Sequence, residues 1–199
     1  IWLGLVGSEM CIRDRQKKPN CNNNNNTNED EEGWFIVPFA GMAAVALYLQ
    51  PRNLWLNDRN PLVANYYRVI HRHCDEFIHL LKEYVQRFEP TRDNFNMVKA
   101  AYNDWRATLT PVQQAVLLHY LLKNSKGYQE NKSGGFGGSF IKPRRGSQTR
   151  QVCNEADVRA LSRYMNSAAT KVCITSYDYR QVLCEAKSED FVYLDPPYY

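Results

Sequence analysis

A chain of 199 residues is long enough for one domain with a hydrophobic core, or for one domain that carries an insertion. Apolar residues make up 44% and aromatic residues 13%, which excludes a disordered chain, and a formal net charge of +4 gives only a slight bias toward an anionic partner. The six cysteines form no C-x-x-C pair, so we expect reduced thiols, a cytoplasmic protein and no structural zinc.

The first 32 residues are expected to lie outside the folded domain. Residues 1–16 show no period that continues into the chain, and they resemble a translated sequencing-adapter scar. Residues 17–32 are polar and low in complexity, with an asparagine run followed by an acidic one. We predict that residues 1–32 are this scar followed by a disordered segment.

An uncharged run over residues 33–50 predicts a strand, a turn and a helix. The apolar residues 34–37 favour a strand, and Pro38 and Gly41 follow at once. A run of this length can also span a membrane, but these two residues interrupt it, so we expect no membrane contact. A strand, a glycine turn and a helix have the shape of a nucleotide-binding βα unit.

A second strand is predicted over residues 53–57, directly before Asp58. Residues 33–60 are therefore predicted to be the first part of an α/β domain. Asp58 follows Gly41 by seventeen residues. A carboxylate at this offset, at a strand end, can accept the ribose hydroxyls of an adenosine cofactor. It can equally cap the helix that begins at Pro61.

Residues 61–150 predict a helical insertion that ends in a basic loop. Apolar residues recur at helical spacing over residues 61–88, and shorter helices are predicted over 95–107 and 111–122. His and Cys residues at 71–74 do not predict a metal site, because alternate residues on a helix point apart.

The basic loop, residues 123–150, predicts a nucleic-acid surface. Lysine, arginine, glycine and interleaved aromatic residues dominate it, and it contains a single acidic residue. The candidate contacts are Lys132, Arg144, Arg145 and Arg150.

The final segment, residues 151–199, returns to alternating helix and strand and ends with an unusual turn. The apolar residues 191–194 predict a buried strand, which must stop at Asp195 because two prolines follow. In parallel sheets ligands bind at the carboxyl ends of the strands, and Tyr198 supplies an aromatic ring at this end. A carboxylate, a rigid backbone carbonyl and an aromatic face together suit the recognition of a planar base that carries an amino group.

This Asp-Pro-Pro-Tyr sequence after a strand resembles the catalytic motif of the DNA adenine-N6 methyltransferases. Residues 39–43, Phe-Ala-Gly-Met-Ala, resemble the F-x-G-x-G or F-x-G-x-A loop of these enzymes, and Asp178-Tyr179 resembles their D-F or D-Y site. On these motifs the chain is identified as a member of the Dam-like (D12 class) family from about residue 34 to residue 199.

The resemblance implies an α/β fold, a Rossmann-like AdoMet-dependent methyltransferase sheet with a helical and loop insertion for DNA recognition. It implies methyl transfer from S-adenosyl-L-methionine (AdoMet) to the N6 amine of adenine in double-stranded DNA, by a monomer that needs no metal. The implied cofactor-binding residues are Phe39, Ala40, Gly41, Asp58, Asp178 and Tyr179. The implied catalytic residues are Asp195, Pro196, Pro197 and Tyr198.

The sequence departs from the family pattern in two places. The lysine- and glycine-containing segment that precedes the first strand in the family is absent or replaced here. The chain also ends at the motif, so we expect an incomplete sheet and a C-terminally truncated fragment that is inactive by itself.

Other functions remain open from the residues alone. The same motif serves methylation of cytosine N4, or of an RNA or protein amine, although the order of the motifs favours adenine. Asp178 can also be a simple helix cap. A non-catalytic DNA-binding fragment, in which the basic loop is the active feature, is a further alternative.

Overall fold

The computed structural model describes residues 33–105, 107–126, 135–141 and 152–196. The predicted scar and disordered segment, residues 1–32, lies outside this part of the chain. The described chain divides into two compact units. The first contains the residues up to 64 and those from 167 onward, and the second contains residues 65–166.

The first unit is built on a parallel four-stranded sheet, as the α/β prediction requires. Its strands are β1 (Phe35–Val37), β2 (Asn53–Asn57), β3 (Lys171–Thr175) and β4 (Phe191–Val192). They lie in the order β3-β2-β1-β4. All three pairings are parallel. Their carboxyl ends therefore meet at one edge of the sheet.

The strand at the predicted catalytic motif is shorter and more exposed than expected. β4 pairs only with β1, and its last ladder bond runs from Tyr193 N–H to Ile36 C=O at 2.9 Å. Phe191 is 60% exposed, so the prediction of a buried strand over residues 191–194 is wrong. Phe191 is exposed because β4 is an edge strand of the described sheet, and the pairing is short because β1 ends at Val37 before a proline.

Two short helices flank the sheet strands of this unit. Helix α1 (Ala44–Leu49) follows β1, and the strand–turn–helix prediction is confirmed. Helix α7 (Tyr179–Glu185) follows β3 and buries Val182. This side chain packs with Ile36, Trp55 and Cys173 in an apolar cluster.

The start of β1 lies very close to the loop before β4. Asp190 accepts hydrogen bonds from Trp34 N–H (2.7 Å) and Lys187 N–H (2.8 Å). A Cβ atom at Gly33 would lie 1.8 Å from the backbone oxygen of Glu189. Only glycine permits this approach.

The second unit is helical. Helix α2 (Pro61–Arg72) leads into it, and α3 (Cys74–Arg87), α4 (Arg92–Trp105), α5 (Pro111–Lys123) and α6 (Glu155–Met165) follow. The prediction of one helix over residues 61–88 is wrong, because the backbone leaves helical geometry at His73. Helix α5 is its most buried element, with eight buried residues, and a capping box between Thr110 and Gln113 fixes its start.

Two of the cysteines also depart from expectation. Cys173 on β3 and Cys184 on α7 are disulfide-bonded. Cys74 and Cys153 are free. The prediction of reduced thiols is therefore wrong for the first two. The fold packs α7 against the strand that carries Cys173. The two cysteines are eleven residues apart, so a search for C-x-x-C pairs does not find them.

In the part of the chain that the structure describes, no helix is both long and apolar enough to cross a membrane.

Candidate functional site

The loop after β1 has the conformation that its glycine predicts. Gly41 has a φ of +44°, in the left-handed region that favours glycine. A Cβ atom there would meet no atom within 4 Å, so the backbone faces open space. Ala43 also has a positive φ, of +48°, and an alanine in this region is strained. A glycine at position 43 would adopt this conformation without strain.

Asp58 binds directly to this loop. One of its carboxylate oxygens accepts from Gly41 N–H at 2.9 Å, and the other accepts from Asn60 N–H at 2.9 Å. The start of α2 is capped instead by Asn60, whose side chain accepts from Leu62 N–H at 3.0 Å. The alternative in which Asp58 caps that helix is therefore wrong, and the structure joins the predicted glycine loop to the predicted carboxylate.

The loop after β3 comes to the same place. The ring centroids of Phe39 and Tyr179 lie 5.1 Å apart, with the planes inclined by 35°. The guanidinium of Arg180 lies 5.2 Å from the centroid of the Tyr179 ring. The structure thus brings together side chains that follow β1 and β3, which are separated along the chain by the whole helical unit.

Asp178 has a structural role that the sequence left open. Its carboxylate accepts from Arg180 N–H at 3.0 Å, and the backbone N–H of Asp178 donates to the side-chain oxygen of Gln181 at 3.2 Å. This capping box begins α7. The helix-cap alternative is confirmed, and a contact of Asp178 with the cofactor stays a prediction.

The predicted catalytic motif is only partly within the described chain. Asp195 and Pro196 follow β4 and are exposed. Because β4 is parallel to β1, Asp195 leaves the sheet at the same edge as the Phe39–Gly41 loop. Pro197 and Tyr198 lie outside the described residues.

The predicted DNA contacts Lys132, Arg144, Arg145 and Arg150 also lie outside the described residues, but residues 136–138 between them are described and bonded to α4. Asn103 on α4 binds both backbone groups of Phe136, at 2.7 and 3.1 Å. Lys99, one turn earlier, donates to the carbonyls of Gly137 (3.3 Å) and Gly138 (3.0 Å). The glycine-rich stretch before the arginines is therefore docked on α4.

The chain that returns from the basic loop is held by a buried histidine. His119 on α5 donates from Nε2 to the carbonyl of Val152 at 2.9 Å, since a carbonyl can only accept. Its Nδ1 then accepts from the Tyr66 hydroxyl at 2.9 Å. Burial lowers the pKa of His119 to about 4 and raises the pKa of Tyr66. This neutral pair holds the chain at Val152, which follows the basic loop.

No group of three or more His, Cys, Asp or Glu side chains in the described ranges is arranged to hold a metal ion.

One central residue of this edge was not predicted from the sequence. Asn57, the last residue of β2, is 1% exposed and hydrogen-bonds to the loops after β1 and β3. The available signal was a polar residue at the end of an apolar strand, which by itself predicts only a turn.

Comparison with known proteins identifies a family for this chain. Residues 24–199 match the D12 class N6 adenine-specific DNA methyltransferases. The chain is 28% identical over 170 residues to the type II methyltransferase M1.LlaDCHI of Lactococcus lactis subsp. cremoris, covering 82% of this chain and 56% of that protein. It is also 28% identical over 172 residues to a DNA adenine methylase of Vibrio cholerae serotype O1, covering 82% of this chain and 55% of the relative.

The chain thus spans just over half the length of these curated relatives. The family match itself extends over the sheet strands, the helical unit and the predicted motif. The chain therefore belongs to the family of D12 class N6 adenine-specific DNA methyltransferases.

Proposed function

We propose that the protein transfers a methyl group from AdoMet to the N6 amine of adenine in double-stranded DNA. The observation that carries this proposal is the convergence of the strand-end loops, in which Gly41 bonds to Asp58 and Phe39 packs on Tyr179. Family membership supports adenine as the target and removes the reason to keep cytosine N4 as an alternative.

The residues at this edge fit AdoMet. The open space beside Gly41 allows the methionine end to approach the backbone. Asp58 is held beside this loop by two backbone N–H groups, and its carboxylate would accept the ribose hydroxyls. Phe39 and Tyr179 would offer aromatic surface for the adenine ring of AdoMet, and Asp178 would accept from its amino group. Ala40 would line the loop beside Gly41.

AdoMet, when bound, supplies an electrophilic methyl group on a sulfonium. The adenine amine is a poor nucleophile because its lone pair is delocalised into the ring. Hydrogen bonds from this amine to the Asp195 carboxylate and the Pro196 carbonyl would favour a pyramidal nitrogen and offset the positive charge that develops on it. Positioning of the two reactants supplies much of the remaining acceleration.

The target base must leave the duplex to reach this carboxylate. Tyr198 would stack on the extruded base, and Pro197 would stiffen the turn that carries it. Lys132, Arg144, Arg145 and Arg150 would bind phosphates and fix the register of the duplex. The bonds that join residues 136–138 to α4 support this role, since they fix one described part of the basic loop on the helical unit.

The test starts with calorimetric titration of AdoMet into the protein at its full natural length, where we expect a single site per monomer. Tritiated AdoMet and a mixed-sequence duplex then report activity, and digestion to nucleosides identifies the product. N6-methyladenine supports the proposal. DNA binding without AdoMet binding would instead identify a non-catalytic DNA-binding protein, and another methylated product would overturn the adenine assignment.

Two further expectations belong to this proposal. A protein that modifies cellular DNA works in the cytoplasm. A single subunit contains the complete set of proposed site residues, so size-exclusion chromatography is expected to show a monomer.

A further inference from the structure

The buried amide of Asn57 lies between the two loops assigned to the cofactor. It ends β2, which is flanked in the sheet by β1 on one side and β3 on the other. Its side chain is 1% exposed, so each of its polar atoms needs a protein partner.

The side chain finds partners on both sides. Its Nδ2 donates to the carbonyls of Pro38 (2.9 Å) and Tyr177 (3.1 Å). Its Oδ1 accepts from the Thr175 hydroxyl (2.7 Å) and from Tyr177 N–H (2.8 Å). Two donors and two acceptor positions are therefore all in use.

These partners require a side chain of this size that donates two hydrogen bonds and accepts two, as asparagine does. Carbonyls cannot donate and a backbone N–H cannot accept, so the orientation of the amide is fixed. An aspartate at position 57 would keep the two acceptor contacts but would turn a carboxylate oxygen toward the carbonyls of Pro38 and Tyr177. A leucine would lose all four bonds.

A second layer supports the amide. The Thr175 hydroxyl, which donates to Asn57, accepts from the indole N–H of Trp55 at 2.8 Å. Trp55 belongs to the apolar cluster of this unit. The amide is thus linked through Thr175 and Trp55 to the buried core of the sheet.

We infer that Asn57 is a positioning residue that sets the separation between the two cofactor-binding loops. Pro38 directly precedes the Phe39–Gly41 loop, and Tyr177 directly precedes Asp178 and Tyr179. The amide binds the backbone of both loops, and the rings of Phe39 and Tyr179, one from each loop, are in contact. This inference rests on the proposed AdoMet site, and it assigns to Asn57 no contact with the cofactor.

The test measures AdoMet affinity by calorimetry, thermal stability, and the NMR signal of the Trp55 indole N–H, assigned with Trp55→Phe. Asn57→Asp is expected to raise the AdoMet dissociation constant roughly tenfold or more. It should also shift the indole signal. Lowering the pH protonates the introduced carboxylate and restores one donor, so the affinity is expected to recover in part.

Asn53→Asp is the matched control. Asn53 is also buried on β2, but at the opposite end of the strand. We expect this change to leave the AdoMet dissociation constant within about twofold, a difference too small to reflect a lost hydrogen bond. Thr175→Val tests the same network without a new charge and should weaken binding, whereas Thr175→Ser keeps the hydroxyl and should preserve it.

Unchanged AdoMet affinity in Asn57→Asp and Thr175→Val, beside a parent that binds AdoMet, would overturn the inference even if both variants lose thermal stability. A parent that does not bind AdoMet would overturn the proposed function itself. If Asn57→Asp fails to fold, the comparison of Thr175→Val with Thr175→Ser decides, because equal affinities would contradict the positioning role.

Discussion

Protonation of His119 is expected to unfold the helical unit as the pH falls. In the folded protein the ring is 5% exposed, and both nitrogens are engaged, by the Tyr66 hydroxyl and the Val152 carbonyl. Protonation would turn Nδ1 into a second donor, which conflicts with the donated hydroxyl unless the Tyr66 O–H reorients. Burial accordingly lowers the pKa of His119 from 6.5 to about 4.

The free energy of unfolding changes with pH because the folded and unfolded chains bind different numbers of protons at His119. Between pH 6.5 and 4 the unfolded chain binds a proton at this residue that the folded chain does not bind, so the free energy of unfolding falls as the pH falls. Each pKa unit corresponds to about 1.4 kcal/mol. The lowering of the His119 pKa therefore corresponds to about 3 kcal/mol, present above pH 6.5 and lost by about pH 4.

Urea denaturation, followed by far-UV circular dichroism from pH 7.5 to about 4, measures this loss. In His119→Gln the part of the pH dependence that His119 causes should disappear, so the parent and variant curves converge at low pH. Leu118→Ala is the control, because Leu118 is a buried neighbour on α5 that does not titrate. It should lower stability by a similar amount at every pH.

Parallel pH profiles for the parent and His119→Gln would refute this reasoning. An NMR titration of the His119 ring gives a direct check, and a midpoint near 6.5 would show that burial does not act as described.

The remaining predictions concern the site, the DNA-binding residues and the sheet. Asp195→Ala should reduce methyl transfer to below a few per cent of the parent rate while AdoMet affinity stays within about tenfold, and a higher rate would contradict its role at the target amine. Arg144→Ala with Arg145→Ala should weaken DNA binding and reduce the salt slope by about one for each phosphate that the variant no longer binds. Gly33→Ala should destabilise the protein by about 3 kcal/mol in urea titrations, because its Cβ would overlap the Glu189 backbone oxygen.

The first two of these experiments have a control variant. Asp195→Asn keeps the shape of the side chain and isolates the charge. Arg163→Ala removes an exposed arginine of α6, outside the basic loop, and should leave the salt slope unchanged. An unchanged urea midpoint in Gly33→Ala would show that the two backbone segments separate without cost.

The strands were predictable because each is a short apolar run bounded by polar residues or prolines. The predicted limits of β2, residues 53–57, agree with the structure. The break at His73 was not predictable, since no proline or glycine marks it and the apolar spacing continues through it. β4 was misjudged because its length depends on β1, more than 150 residues earlier.

The site was predictable as a set of strand ends but not as a set of contacts. Acidic residues at strand ends serve both as ligands and as caps, and only the structure separates Asp58, which binds the glycine loop, from Asp178, which begins α7. Asn57 was out of reach because its partners come from residues 19 and 120 positions away. Sequence patterns identify local chemistry and do not report such distant bonds.

The pairing order of the strands has a consequence for folding during synthesis. β2 pairs with a strand 118 residues later, and β1 pairs with one 156 residues later. At typical translation rates the interval before β3 emerges is on the order of ten seconds. During that time the apolar side chains of Ile36, Leu54 and Leu56 lack their final neighbours, while the helical unit, with its more local contacts, can already form. We therefore expect the helical unit to gain protection from hydrogen exchange before the sheet, and the nascent sheet to be the part that chaperones bind.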